Sequence, residues 1–287
     1  MKLLESDLSK NLSINLDHTI NSGQVFLWKK INTKWYGVDG DKILVLQNNQ
    51  KFDKNIKHEY DFLRLGDNFA QISKDLKNDK NVKKAIKLYP GLRLLRQNPF
   101  QCYISFIVSS NSNIPNIQSR LQKLCRMFGR KKTVNNNDFF LFPEPSDLAK
   151  ASIDDIQKCG LGYRSKAVKS ASLSIINKKI DFELLKKTDY FDAKKELKKI
   201  FGIGDKVADC ILLFSLEKLE AFPLDIWMLR VLQKYYSKDF QISTKTITEK
   251  TYDNLHEIAV KHFGCYAGYA QQFLFKMERD LYKKKWL

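Results

Sequence analysis

The stretch "KKIFGIGDKVADC", residues 198–210, decides how this chain is read. A basic amphipathic run stops at a hydrophobic-Gly-hydrophobic-Gly turn, and a second helical pattern follows at once. The stretch therefore reads as helix, tight turn, helix. Gly202 and Gly204 permit backbone conformations that a Cβ would penalise, and they let the backbone approach another molecule closely. The N–H groups that open the second helix, from Gly204 to Val207, carry partial positive charge outward, which suits a phosphate. Such a site holds nucleic-acid backbone and reads no sequence. Taken alone, the pattern serves equally as a helix–helix corner with a glycine C-cap.

Lys206 adds chemistry to the turn. In the first turn of a helix it faces the positive end of the dipole, which disfavours an ammonium ion. Partial burial acts in the same direction. A lysine so placed can be a neutral amine, and a neutral amine is a nucleophile. Helical spacing puts Lys206, Cys210 and Phe214 along one stripe, with Val207, Ile211 and Leu212 on neighbouring core faces. A surface lysine beside core residues is the plainer alternative. Nineteen residues further on, "AFPLDIWMLRVL" places Asp225 before an apolar-periodic run. Asp225 is a natural N-cap, and capping alone accounts for it. A carboxylate held by backbone N–H groups also stays ionised and can stabilise a cationic sugar or assist proton transfer. A nucleophilic lysine with a fixed carboxylate is the minimum for attack at an anomeric carbon through a Schiff base.

The rest of the chain fits a nucleic-acid partner. Its 287 residues make one large domain or two to three small ones, and 43% hydrophobic content points to a packed protein. Lys and Arg number 50 against 32 Asp and Glu, an excess of +18 that points to a polyanion, although solvated lysine faces also use up lysine. Cys102, Cys125, Cys159, Cys210 and Cys265 form no CxxC pair, which argues against a disulfide framework and a zinc or iron–sulfur site. No signal peptide or membrane span is expected, and a cytoplasmic protein is. No internal repeat or low-complexity segment stands out.

Along the chain, "QVFLWKK", "KWYGVD" and "KILVLQNN" are aromatic and β-branched runs separated by the turn signals "INTK" and "DGDK", an antiparallel meander. "NFAQISKDLKND" and "NVKKAIKLY" read as helices, and "LYPG" at 88–91 closes this part. After Pro99 almost everything has helical spacing. Phe100, Tyr103, Ile104 and Ile107 share one helix face, Gly129 is a C-cap, and "SIDD" at 152–155 forms a capping box. The expected class is α+β: a small N-terminal antiparallel-sheet domain with helices, residues 1–92, packed on a larger all-α helix-hairpin-helix region, residues 93–287, with its hairpin at about 192–215. The terminal "KKKWL" reads as a solvated tail.

Six segments in order resemble one family: "NSGQVFLW" (21–28), "PGLRLLRQNPFQCYISFIVSSNSNI" (90–114), "GLGYRSKAV" (160–168), "GIGDKVADCILL" (202–213), "AFPLDIWM" (221–228) and "YAGYAQQFLF" (266–275). The chain resembles the 8-oxoguanine DNA glycosylase/lyases of the helix-hairpin-helix (HhH-GPD) superfamily over nearly its whole length. The resemblance implies that Lys206 attacks C1′ of the damaged nucleotide and that Asp225 stabilises the developing positive charge. It implies β-elimination of the 3′ phosphate after base loss, and extrusion of the nucleotide from the duplex. Asn111 and Tyr163 match the positions that wedge and fill the gap, and Arg164 would contact the orphaned base. Gly202, Gly204 and Val207 would hold DNA phosphate. Phe275 and Cys210 would sandwich the flipped purine beside Phe214, with Gln271 on its Watson–Crick edge. Gly23 would discriminate: 8-oxoguanine carries an N–H at N7 where guanine has a lone pair. A backbone carbonyl accepts from the first and repels the second, a difference of roughly 1–3 kcal/mol in a buried pocket.

Read without the family, "NSGQ" is a turn before a strand, "VSSNSN" a polar helix terminus and "LGYR" a glycine turn. "GYAQQFLF" is then a core helix with two solvent-facing glutamines. The sequence also departs from the family pattern. Asn116 stands where many eukaryotic members have the Arg that helps select cytosine opposite the lesion, which implies weaker opposite-base preference. Trp227 stands where the family often has a phosphate-binding His. Phe214 stands where methionine can occur. His18, His58, His256 and His262 match no motif and read as structural. No redox cofactor or catalytic metal is implied; a structural monovalent cation on the hairpin carbonyls is optional. Double-stranded DNA containing 8-oxoguanine is the expected partner, and a monomer the default. Two alternatives stay open: a monofunctional glycosylase for alkylated bases, which needs only the aspartate and water, and a non-catalytic DNA-binding helical module.

Overall fold

The computed structural model describes residues 14–48, 50, 57–240 and 247–284. Residues 1–13, within the segment expected to lack a signal peptide, and residues 285–287, the end of the expected tail, lie outside the described residues. Contacts divide the chain into two compact, interleaved units: Val25–Gln47 with Gln97–Lys218, and Met1–Gln24 with Asn48–Arg96 and Leu219–Leu287. This division differs in kind from the segment boundary expected at residue 92, because the strands go with helices that follow much later in the chain.

In the unit holding the strands, Trp28–Ile31, Lys34–Asp39 and Lys42–Gln47 pair antiparallel in chain order, as expected of the meander. Asn32 (φ 53°) and Gly40 (φ 62°) occupy the tight turns between them, where left-handed backbone matches the strand twist. A small N-terminal antiparallel sheet followed by a mostly helical chain makes the protein α+β. One exception breaks the expected helical run after Pro99. Lys131–Val134 and Asn137–Phe140 form a second hairpin. Its Phe139 ring stacks on Tyr36, centroids 5.4 Å apart, and Asn135 Nδ2 donates to the Tyr36 hydroxyl at 3.2 Å.

The helix Pro99–Ser109 starts where sequence rules place it, with Asn98 accepting from Gln101 N–H and proline in the first turn. It does not bury a single face. Every residue from Phe100 to Ser109 is buried, so this helix is the centre of its unit rather than a cover for it. Gln101 fastens it to the sheet, accepting from Gly40 N–H at 2.8 Å and donating to the Val38 carbonyl at 2.7 Å. Ile114–Phe128 ends at Gly129, but φ there is −91°, not left-handed. Glycine is required at that point because a Cβ would stand 2.0 Å from the Leu141 carbonyl oxygen.

The central pair of helices is Tyr190–Lys198 and Asp205–Ser215. Two polar latches hold it. The Tyr190 hydroxyl donates to buried Asp209 at 2.7 Å. Asp205 lies 2.7 Å from the Lys198 ammonium and 3.3 Å from that of Lys194.

In the other unit all described regular structure is helical: Leu16–Ile20, Lys57–Phe62, Phe69–Leu76, Lys80–Leu88, Ile226–Tyr235, Glu249–Phe263 and Ala267–Lys284. The last of these is its spine, burying Tyr269, Phe273, Leu274 and Met277. Asp79 caps Lys80–Leu88 and receives the Tyr236 hydroxyl at 2.8 Å, with the His262 ring 3.0 Å away, which accounts for that histidine structurally. Among the described residues no helix is long and apolar enough to cross a membrane.

Candidate active site

The hairpin turn treats its two glycines differently. Gly202 has φ +89°, and a Cβ there would lie 2.4 Å from the Ala167 methyl, so both conformation and space demand glycine. Gly204 has φ −100° and open space around its missing Cβ. The expectation that Gly204 relieves a backbone conformation is therefore corrected: the fold itself tolerates a side chain there. What Gly204 leaves open is the helix end. No side chain caps Asp205–Ser215, and its first bond runs from Ala208 N–H to the Gly204 carbonyl at 2.9 Å. The N–H groups of Asp205, Lys206 and Val207 have no acceptor among the described residues. Val207 buries its side chain and offers only this amide.

Lys206 is half-buried at the head of that helix. Its amine donates to Ser109 Oγ at 3.3 Å and sits 5.3 Å from the centre of the Phe106 ring. Ser109 Oγ spends its own proton on the Phe106 carbonyl at 2.7 Å, so it meets Lys206 with lone pairs. Phe106 stacks on Phe214 at 5.4 Å, and Phe26 closes edge-on at 5.7 Å. Phe214 and Cys210 are both buried on the same helix as Lys206. Two neighbouring lysines of the hairpin, Lys194 and Lys198, share the Asp205 carboxylate, whereas among the described residues no carboxylate pairs with Lys206.

The same unit brings Asn111, Tyr163 and Arg164 together. Asn111 adopts left-handed backbone (φ 47°) and its Nδ2 donates to the Tyr163 hydroxyl at 3.4 Å. Tyr163 is 64% exposed, which suits a wedge. Arg164 is buried instead: its Nε donates to the Ser110 carbonyl at 2.8 Å and Nη2 to Asn111 O at 3.0 Å. In this structure Arg164 braces the Asn111 turn. Arg120 braces the facing loop, bonding Gly160 O at 2.9 Å and Ser112 Oγ at 2.6 Å.

In the other unit, Asp225 caps Ile226–Tyr235 through one carboxylate oxygen that accepts from Trp227 N–H and Met228 N–H, both at 2.9 Å. Trp227 follows Asp225 by two residues. Its ring packs edge-on against Tyr282 at 5.0 Å with the Arg230 guanidinium over it. Gln271 and Gln272, expected at the surface when read without the family, are both buried because they tie loops to the spine. Gln271 Nε2 donates to the Pro223 carbonyl at 3.2 Å, two residues before Asp225, while its buried Oε1 has no donor among the described residues. Gln272 Nε2 donates to Ser22 O at 3.0 Å. Gly23, next in the chain, has φ 90°, and its carbonyl accepts no hydrogen bond among the described residues. Phe275, one turn after Gln271, is half-buried with the Arg279 guanidinium carbon 5.2 Å from its ring centre.

Sequence reasoning misses Ser109, Phe106, Arg120 and Arg279. Each acts on a partner remote in sequence or on backbone, and neither leaves a spacing signal. Among the described residues no group of three or more His, Cys, Asp or Glu could hold a metal ion.

The hairpin helix opens without a side-chain cap and carries Lys206 in its first turn, and in the other unit Asp225 caps the start of Ile226–Tyr235. Residues 104–257 match the family model "HhH-GPD superfamily base excision DNA repair protein", and the chain belongs to that superfamily. Residues 7–103 match the model of the 8-oxoguanine DNA glycosylase N-terminal domain. The chain is 31% identical to a probable N-glycosylase/DNA lyase of Methanothermobacter thermautotrophicus, over 70% of this chain and 68% of that one. It is 28% identical to the N-glycosylase/DNA lyase OGG1 of Arabidopsis thaliana, over 92% of this chain and 77% of that one. The Clostridium acetobutylicum 8-oxoguanine glycosylase/lyase, solved with double-stranded DNA containing cytosine opposite 8-oxoguanine, superposes with TM-score 0.84 at 28% identity, covering 94% and 93% of the two chains. A 3-methyladenine DNA glycosylase of Archaeoglobus fulgidus, at 18% identity and TM-score 0.68, shares the fold.

Proposed function

We propose that this protein is a bifunctional DNA repair enzyme that excises 8-oxoguanine from duplex DNA and then cleaves the strand by β-elimination. The observation that carries the reading is the Lys206 amine. It heads an uncapped helix, meets a hydroxyl at 3.3 Å, and forms no ion pair with a carboxylate among the described residues. The open amides of residues 205–207 suit the phosphate that fixes the strand. In the first step the Lys206 nitrogen bonds to C1′ as the C1′–N9 bond breaks, and the base leaves with the proton that the newly bonded nitrogen gives up. Asp225 stabilises the positive charge that develops on the sugar. The sugar ring then opens to an imine at C1′; loss of a C2′ proton expels the 3′ phosphate. The aromatic floor of Phe106 and Phe214 limits water at the amine.

Recognition is assigned to the other unit and to the Lys206 helix. The Gly23 carbonyl accepts from N7–H, and the donor-less Gln271 Oε1 accepts from the base edge. The resemblance assigns Phe275 and Cys210 to the faces of the base, with Phe214 on the Lys206 helix beside Cys210. Asn111 and Tyr163 fill the duplex, with Arg164 holding them in shape. An alkylated-base glycosylase would need Asp225 and water only, leaving Lys206 without a task; a non-catalytic binding module would leave both without one. The protein acts as a monomer on chromosomal DNA in the cytoplasm. A monovalent cation on the hairpin carbonyls would rigidify the turn without entering the chemistry.

The test is an end-labelled duplex with one 8-oxoguanine. Strand cleavage without alkali is the expected result. Base loss revealed only by alkali removes the lyase half of the reading, and binding without base loss removes both halves.

A further inference from the structure

The spine helix carries a residue that its burial does not explain. Arg279 is 6% exposed, yet its Nε and Nη1 have no acceptor among the described residues. Burial holds its pKa below the usual guanidinium range, with Asp280 acting in the opposite direction. A leucine or methionine would fill the position without leaving buried donors unmatched. What Arg279 does have is a bond from Nη2 to the Asn21 carbonyl and a face on the Phe275 ring, 5.2 Å away.

The loop it holds is fastened along its length from a single helix and a single glutamine. Lys276 joins Arg279 on Asn21 O, at 3.2 Å, and Gln272 takes Ser22 O at 3.0 Å. The Gln24 side chain donates to Ser22 Oγ at 2.9 Å and to Arg93 O at 2.8 Å, and accepts from Leu95 N–H at 2.8 Å. Between Ser22 and the Gln24 side chain, the Gly23 carbonyl has no donor among the described residues. We propose that Arg279 is a positioning residue for lesion recognition, joining the loop that presents the Gly23 carbonyl to the Phe275 ring so that hydrogen-bond readout and stacking are set by one planar side chain. This rests on the roles given above to Gly23 and Phe275.

The test uses Lys206→Gln protein, so that binding is read without turnover, and three duplexes alike except for one position: 8-oxoguanine, guanine, or a tetrahydrofuran abasic analogue. Arg279→Met keeps the volume, and Arg279→Lys keeps the charge while losing the fork. Both variants are expected to weaken 8-oxoguanine binding about tenfold, the size of one well-placed hydrogen bond, while tetrahydrofuran binding stays within about twofold. Equal weakening on both duplexes, or no change on either, overturns the inference while leaving the proposed function standing. A parent protein that binds 8-oxoguanine no better than guanine removes the proposed function and this inference with it. If Arg279→Met fails to fold, Arg279→Lys decides alone.

Discussion

The helix Asp205–Ser215 begins at Gly204 with no side-chain cap, whereas Ile226–Tyr235 begins at Asp225, whose carboxylate takes the Trp227 and Met228 amides at 2.9 Å. Both ends face the same problem of unmatched N–H groups. The first leaves its amides without an acceptor among the described residues. The second satisfies them internally, and in doing so holds an ionic group in one orientation. The contrast sets a lysine in the first turn of a helix whose amides stay open against an aspartate that fills the amides of its own helix. In the proposed mechanism the empty cap is the place for DNA phosphate, and the filled cap is the fixed negative charge for a cationic sugar.

The comparison can be broken at its second member first. Asp225→Asn keeps a good capping residue, so stability should move by only a few tenths of a kcal/mol and DNA binding should persist. Turnover should still fall by about 10²–10³, the usual loss when a positioned charge-stabilising group is removed. Asp225→Ala should lose the same turnover and a further ~1 kcal/mol of stability. Thermal melting with single-turnover excision separates the two effects, and unaltered turnover in Asp225→Asn would remove the carboxylate from the mechanism.

At the first member the two glycines divide the effects. Gly202→Ala must place a methyl at φ +89° and 2.4 Å from the Ala167 methyl. Left-handed strain and overpacking together should cost about 2–4 kcal/mol in denaturant unfolding. Gly204→Ala meets neither obstacle and should leave stability within ~0.5 kcal/mol. Gly204→Asp turns the first helix start into a copy of the second. It should stabilise the fold by about 0.5–1 kcal/mol while weakening DNA binding roughly tenfold, because the carboxylate takes the phosphate's amides. Gain in both would show that these amides do not hold DNA. The smallest effect is at position 116, an exposed residue in the first turn of Ile114–Phe128. Excision opposite the four bases should differ by only a few-fold in the native protein and tilt toward cytosine in Asn116→Arg; a strong native cytosine bias would contradict the reading.

Legibility in the sequence followed the range of the interactions. Caps, tight turns and the hairpin are local, and residues such as Asp225 and Gly202 announce them. The strands at 131–134 and 137–140 were missed because four residues leave no room for alternation, although the paired left-handed Asn135 and Asn136 were a usable signal. Pro99–Ser109 showed one apolar face because periodicity cannot report burial on every side. The reactive pair stood out from its position at helix starts. Its supporting residues did not: Ser109 reaches Lys206 across 97 positions and Arg279 reaches Asn21 across 258. No spacing rule spans such distances, and a buried polar group shows its purpose only once its partner is in view.

The account depends most on which atom bonds to the sugar. Borohydride reduction during reaction with an 8-oxoguanine duplex, followed by proteolysis and mass spectrometry of the cross-linked peptide, reads this directly. The adduct should sit on Lys206 and vanish in Lys206→Gln, with excision falling by about 10³-fold or more, as it does when a covalent nucleophile is removed. An adduct on another residue, or one that survives Lys206→Gln, would contradict the central claim.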